Sequence, residues 1–265
     1  MTQSPSAVSV RESGTGTPLV LLHAFPLNAS MWSSQLDELP GLTGDEVRVL
    51  APDQRGFGGT ALGSDEPSLD LVADDLALLL DAAGIERAVV GGLSMGGYVA
   101  LAFARRHPGR LSGLLLANTR ATADTDAVRA NRERIAAAVT ARDSVRLLLD
   151  EQVAAGQLGP DSQHLVERVQ ELVAAAPPAA VAWAQRAMAA RPDALDVLAG
   201  LRVPVSIVAG AQDALVAAEE AEAMLRARPD AELTVLPGVG HLSALEAPGA
   251  FDAAVRALLA RVAVG

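Results

Sequence analysis

The sequence of 265 residues contains no cysteine. That excludes disulfides, thiolate metal sites and a thiol nucleophile. It contains no lysine either: all 21 basic residues are arginine. A Schiff-base lysine, a P-loop lysine and a Ser-Lys dyad are therefore excluded. Basic charge is short overall, with 32 acidic residues giving a net charge of −11. Nucleic-acid phosphates require a basic footprint that this chain lacks, so no nucleic-acid partner is expected. Aromatic residues make up only 3%. No run approaches the roughly 18 unbroken apolar residues of a membrane span. Met1–Val10 is too polar for the apolar region of a signal peptide. The reading is a cytoplasmic protein without a membrane partner.

Half of the residues are hydrophobic and 20% are charged, the balance of a globular chain. A chain of this length buries about three quarters of its unfolded surface without needing a staple. Short apolar runs recur at Leu19–Leu22, Val47–Ala51, Ala88–Val90, Leu114–Ala117, Val205–Ala209 and Leu233–Leu236. Near-continuous runs of this length suit a parallel sheet covered on both faces. Between them lie helical stretches at 68–83, 95–106, 217–228 and 247–262. Ser68 suits an N-cap, and Gly84 lies just past the end of the first stretch. Alternation of strand and helix predicts βαβ units and an α/β fold. One block, Thr119–Arg191, carries no strand-like run. It reads as three or four inserted helices lying over the sheet as a lid. The expected organisation is a core over 1–118, a helical cap over 119–192 and the rest of the core over 193–265. The first five residues are expected to be loose.

The sharpest motif is Gly92-Leu93-Ser94-Met95-Gly96-Gly97, which follows an apolar strand and precedes a helix. A G-x-S-x-G turn in that context is strained and projects its serine at the apex. The Ser94 hydroxyl then sits near a helix N-terminus, which favours developing negative charge. The competing reading is a glycine-rich turn with an incidental serine. A dinucleotide site is disfavoured because G-x-G-x-x-G is not matched. A nucleophilic serine needs a base and an orienting acid. Of four histidines, His107 closes a helix, His164 lies among polar residues of the inserted block, and His23 ends the first strong strand. His241 sits in a loop after the last strand, the topology of a base. Asp213 follows the Val205–Ala209 run and gives the order Ser94, Asp213, His241. Asp124 and Asp126 are weaker candidates, and position 118 is an uncharged Asn. An oxyanion hole needs two donors. The N–H of Met95 is one, and the N–H of Phe25 is the best candidate for the other, since Pro26 has none.

The chain resembles the α/β-hydrolase family over nearly its whole length. The resemblance rests on His23-Ala24-Phe25-Pro26, Asp53-Gln54-Arg55-Gly56-Phe57-Gly58, the Ser94 motif, Gly210-Ala211-Gln212-Asp213, and Gly240-His241 with Glu246-Ala247-Pro248. It implies an α/β-hydrolase fold: an eight-stranded, mostly parallel sheet flanked by helices, with an inserted helical cap. It also implies Ser94 as nucleophile, Asp213 as acid, His241 as base, and Phe25 and Met95 as backbone oxyanion donors. Within the family the chain is most similar to small esterases and 3-oxoadipate enol-lactonases. The Phe25-Pro26 and Ser94-Met95 pairs resemble the cofactor-free haloperoxidase, or perhydrolase, branch. Two positions depart from the usual pattern: Ala24 replaces a glycine and Ala217 a proline.

The Asp53–Gly58 loop reads as structural, with Arg55 available to pair with a carboxylate. Trp32, Trp183 and Met188 are candidates for the substrate pocket, against ordinary packing. Arg120, Arg129 and Arg132 could attract an anionic substrate, against a solvated helix face. The expected activity is hydrolysis of a small carboxylic ester or lactone through an acyl-enzyme, with no cofactor and no metal. The alternatives are an enol-lactonase of aromatic catabolism and a slow-turnover, ligand-binding signalling protein of the same fold.

Overall fold

The computed structural model describes residues 8–42 and 46–263, so the expectation of a loose N-terminal pentapeptide lies outside the described residues. Its strands are β1 (Val10–Ser13), β2 (Thr17–Leu22), β3 (Val47–Pro52), β4 (Ala88–Leu93), β5 (Leu111–Ala117), β6 (Val205–Gly210) and β7 (Glu232–Leu236). Among the described residues they form one sheet of seven strands in the order β1-β3-β2-β4-β5-β6-β7, one strand fewer than the resemblance implies. β1 runs antiparallel to β3, and every other pairing is parallel. β4 is buried at all six positions, as a central strand covered on both faces should be.

The helices are α1 (Ser33–Leu42), α2 (Leu69–Ala82), α3 (Met95–Arg106), α4 (Asp126–Arg142), α5 (Arg146–Asp150) and α6 (Val153–Gly156), followed by α7 (Val166–Ala174), α8 (Pro178–Ala190), α9 (Leu195–Gly200), α10 (Ala218–Ala227), α11 (Ser243–Glu246) and α12 (Pro248–Ala263). The start of α2 follows from its cap: the Ser68 hydroxyl accepts the Asp70 N–H at 3.2 Å. Its end follows from Gly84, which adopts a φ of +66° just past the last turn. α3 is buried from Met95 to Ala104. Its small residues let it cross the middle of the sheet at close range.

The helices α4 to α8 all lie between β5 and β6. Asp124, fully buried, anchors this segment: its carboxylate takes Arg132 Nε from α4 at 2.5 Å and an Arg191 amine beyond α8 at 2.7 Å. Burial pushes the Asp124 carboxyl up, but the Arg191 and Arg132 hydrogen bonds outweigh it and hold it below the usual range. α8 rests on the loop after β3, where a methyl on Gly56 would come within 2.7 Å of Ala180 Cβ.

Candidate active site

The expected nucleophile ends β4. Ser94 takes φ 56° and ψ −113°, a strained conformation for a residue with a side chain. The turn is fixed from every side. Ser94 N–H donates to Ala117 O at 2.9 Å, and its carbonyl accepts from Gly97, from Tyr98 and from the Thr119 hydroxyl. The glycines are required by contact: a methyl on Gly92 would sit 2.0 Å from the Gly96 carbonyl carbon, and one on Gly96 would sit 2.0 Å from Leu22 O. The Ser94 hydroxyl makes no capping bond to the helix it opens.

Asp213 and His241 come together from the loops after β6 and β7. His241 Nδ1 lies 2.9 Å from Asp213 Oδ2, and both side chains are only 3% exposed. The acid is held on both oxygens. Oδ1 accepts the N–H groups of Leu215 at 2.9 Å and Val216 at 3.0 Å, and Oδ2 accepts Asn118 Nδ2 at 3.0 Å. Burial pushes the Asp213 carboxyl up; the hydrogen bond and charge of His241, with the Asn118 and Leu215 donors, more than offset this. Asp213 is thus held below the ordinary carboxylate range. Asn118 also donates to Gly240 O at 3.0 Å, so it ties the acid loop to the histidine loop. Its φ of 45° suits asparagine better than most side chains. Sequence reasoning set this residue aside because it carries no charge. Its place at the end of β5 was the available signal.

No hydrogen bond joins Ser94 to His241 among the described residues. The N–H of Met95 and the N–H of Phe25 have no hydrogen-bond acceptor among the described residues, so both remain available to a ligand oxygen. Ala24 is buried and has no left-handed φ, which explains why alanine is tolerated there. Ala217 has φ −63°, the angle that a proline would impose.

His23 is structural. Gln54 N–H donates to its Nε2 at 3.0 Å, so its Nδ1–H donates to Ala24 O. Burial lowers its pKa to about 4, against the Ala24 bond and the charge of Asp53. Arg55 forms a forked pair with Asp75 at 2.8 and 2.9 Å and a further bond to Asp65. A methyl on Gly58 would strike the Asp53 carboxylate at 2.2 Å, so the loop packs closely on that side chain. His107 binds Asp74 at 2.8 Å, and His164 is exposed.

The three pocket candidates are engaged elsewhere. Trp32 is fully buried with its ring 5.7 Å from Phe251 and belongs to the core. Trp183 donates its ring N–H to Asp65 O at 2.9 Å, and Met188 Sδ faces Arg132 at 3.4 Å. Arg129 pairs with the exposed Asp126 and Arg132 with Asp124, while Arg120 lies 3.7 Å from Glu220 and donates to Leu215 O at 2.8 Å. Among the described residues no cluster of three potential metal ligands occurs, and no helix is long and apolar enough to cross a membrane.

The chain is similar over most of its length to proteins of known class. An esterase from Thermogutta terrifontis, solved with malate bound, is 38% identical, with a TM-score of 0.88 over 96% of this chain and 93% of that one. 3-Oxoadipate enol-lactonase 2 of Acinetobacter baylyi is 27% identical over 92% of this chain and 88% of that one. 2-Hydroxymuconate semialdehyde hydrolase of a Pseudomonas species is 37% identical over 41% of this chain. For the first two curated relatives the chain spans only about two fifths of the relative's length, 39% and 38%. Residues 19–254 match the alpha/beta hydrolase family, and the chain belongs to it.

Proposed function

We propose that this hydrolase cleaves small carboxylic esters or lactones through a serine acyl-enzyme. The observation that carries the reading is the buried His241–Asp213 pair, set at the same carboxyl edge of the sheet as the strained Ser94 turn. With Asp213 accepting from Nδ1, the His241 Nε2 is left as the proton acceptor. Ser94 Oγ attacks the substrate carbonyl as Nε2 takes its proton. The N–H groups of Phe25 and Met95 receive the negative charge that develops on the carbonyl oxygen. His241 returns the proton to the leaving alkoxide, then takes one from the water that releases the acid. Residues 119–192 act as the cap above this site.

Lactones fall within the same chemistry because the ring oxygen is the leaving group. A dicarboxylic lactone would need a cation in the pocket, and all three candidate arginines already lie against a carboxylate. Simple esters are therefore the first substrates to test. Hydrolysis of p-nitrophenyl acetate, butyrate and octanoate is expected to be catalytic over many turnovers. Ser94→Ala should reduce it to background, and a fluorophosphonate should label Ser94. Undiminished turnover by Ser94→Ala would overturn the serine mechanism.

A further inference from the structure

The segment Gln157–Gly159, between α6 and Pro160, touches both loops on which the proposed chemistry depends. The backbone carbonyl of Gln157 accepts the His241 N–H at 2.8 Å. The side-chain amide of the same residue donates to the carbonyl of Phe25 at 3.3 Å. One residue of the inserted segment thus bonds to the loop of the proposed base and to the loop of the proposed oxyanion donor.

The second half of the arrangement is Glu246, at the end of α11. Its Oε2 accepts Gly240 N–H at 2.9 Å and Gly159 N–H at 2.8 Å, and its Oε1 accepts Leu242 N–H at 2.9 Å. The residues on either side of His241 and a glycine of the inserted segment are thereby held by one carboxylate. Contact is tight enough to require glycine on both sides. A methyl on Gly159 would lie 2.8 Å from Gly240 N, and one on Gly240 would lie 2.4 Å from Gly159 N.

The state of the Gln157 amide indicates what it is for. The residue is buried, and its Oε1 has no hydrogen-bond partner. An orphaned buried oxygen is unfavourable, and an apolar side chain of the same shape would avoid it. The nitrogen, bonded to Phe25, is the part of the amide that offsets this cost.

We propose that Gln157 and Glu246 are positioning residues, which fix the His241 loop and the Phe25 loop relative to each other through the inserted segment. The inference rests on the assignment of His241 and Phe25 made above. In it the helices between β5 and β6 help to build the site as well as cover it.

The test compares Gln157→Met, Glu246→Gln and Gln163→Ala with the parent enzyme on p-nitrophenyl butyrate. Gln157→Met keeps the shape and loses the donor to Phe25. Gln163 serves as the control, since its amide binds Leu158 O and Gly159 O in the same turn without touching either loop. Expected are a tenfold or greater fall in kcat for the first two variants, with KM within twofold and folding retained, and no change for Gln163→Ala. The low-field proton resonance of His241 Nδ1 should shift or broaden in Glu246→Gln made on a Ser94→Ala background. That readout needs no turnover, so it separates failure of the tie from failure of the serine mechanism. Wild-type kcat in both variants, an equal loss in Gln163→Ala, or an unmoved resonance would overturn the proposal.

Discussion

His241 Nδ1 sits between the two carboxylate oxygens of Asp213, 2.9 Å from one and 3.0 Å from the other. A donor shared between two oxygens fixes the imidazole plane as well as its tautomer. Asp213→Asn removes the charge that would stabilise an imidazolium and offers Nδ1 an amide in place of a carboxylate. We expect kcat to fall by about 10³–10⁴-fold with the fold intact. Asn118→Gly should remove the bonds to Asp213 and Gly240 without left-handed strain. Its kcat should fall about tenfold, since a small misplacement of the acid is costly. Steady-state kinetics on one ester, with circular dichroism as a folding check, test both.

His23 gives a pH dependence with a defined sign. Burial holds its folded pKa near 4, below the ordinary 6.5. Between those values the unfolded chain binds the proton and the folded chain does not. Stability on this account is flat above pH 6.5 and falls as pH drops toward 4, by about 3 kcal/mol in total. Urea unfolding at pH 7, 5.5 and 4.5 should show the decline in the wild type. His23→Gln should lower stability at every pH while flattening the slope across that interval. An unchanged slope would mean that His23 is not the titrating group.

The apolar runs located the strands but not all of their ends: the run Ala88–Val90 stops at Gly91-Gly92, whereas β4 continues through both glycines to Leu93. The helix over 95–106 was legible to the residue because a G-x-S-x-G turn starts it and His107-Pro108 stops it. β1 was not, since Val10–Ser13 is a short, half-exposed edge strand without an apolar run. Trp32 stood in the sequence as a pocket candidate against ordinary packing. In three dimensions Phe251, more than two hundred residues away, claims its ring. Asn118 and Gln157 were missed as site residues for a related reason. Most of their bonds reach distant loops, and spacing along the chain says nothing about those.

The Asp124 carboxylate joins α4 to the segment after α8 through two arginines. Asp124→Asn keeps the shape and leaves Arg132 and the buried Arg191 short of an anion. Breaking a buried ion pair from one side costs about 3–5 kcal/mol. We expect a loss of that order in global stability, read from denaturant midpoints. Limited proteolysis should cleave within 125–192 earlier than in the wild type. A change below about 1 kcal/mol, the range of exposed pairs, would show that the anchor does not hold the segment.

Asp252 predicts a substitution that improves the protein. It lies on α12, almost fully buried, and its Oδ1 accepts Gln35 Nε2 at 3.0 Å. Burial pushes its carboxyl up; the Gln35 bond and the charge of Arg256 oppose this, and Glu38 adds to it. A raised folded pKa means that the ionised form is disfavoured in the fold. Stability from this group is present in acid and declines as pH rises through the folded pKa. Meanwhile Gln35 Oε1 is buried without a donor. Asp252→Asn removes the buried charge, keeps an acceptor for Gln35 Nε2 and brings an N–H for Gln35 Oε1. The variant should be more stable than the wild type at pH 7, by about the 1 kcal/mol of one satisfied buried hydrogen bond or more. The gain should shrink toward pH 3, where Asp252 is protonated and can itself donate. Asp252→Leu also removes the charge but gives Gln35 no partner, and it should be less stable than Asp252→Asn at both pH values. Urea midpoints of the three proteins at pH 7 and pH 3 decide it. An Asn variant less stable than the wild type at pH 7 would mean that the attraction of Arg256 outweighs the burial of the charge.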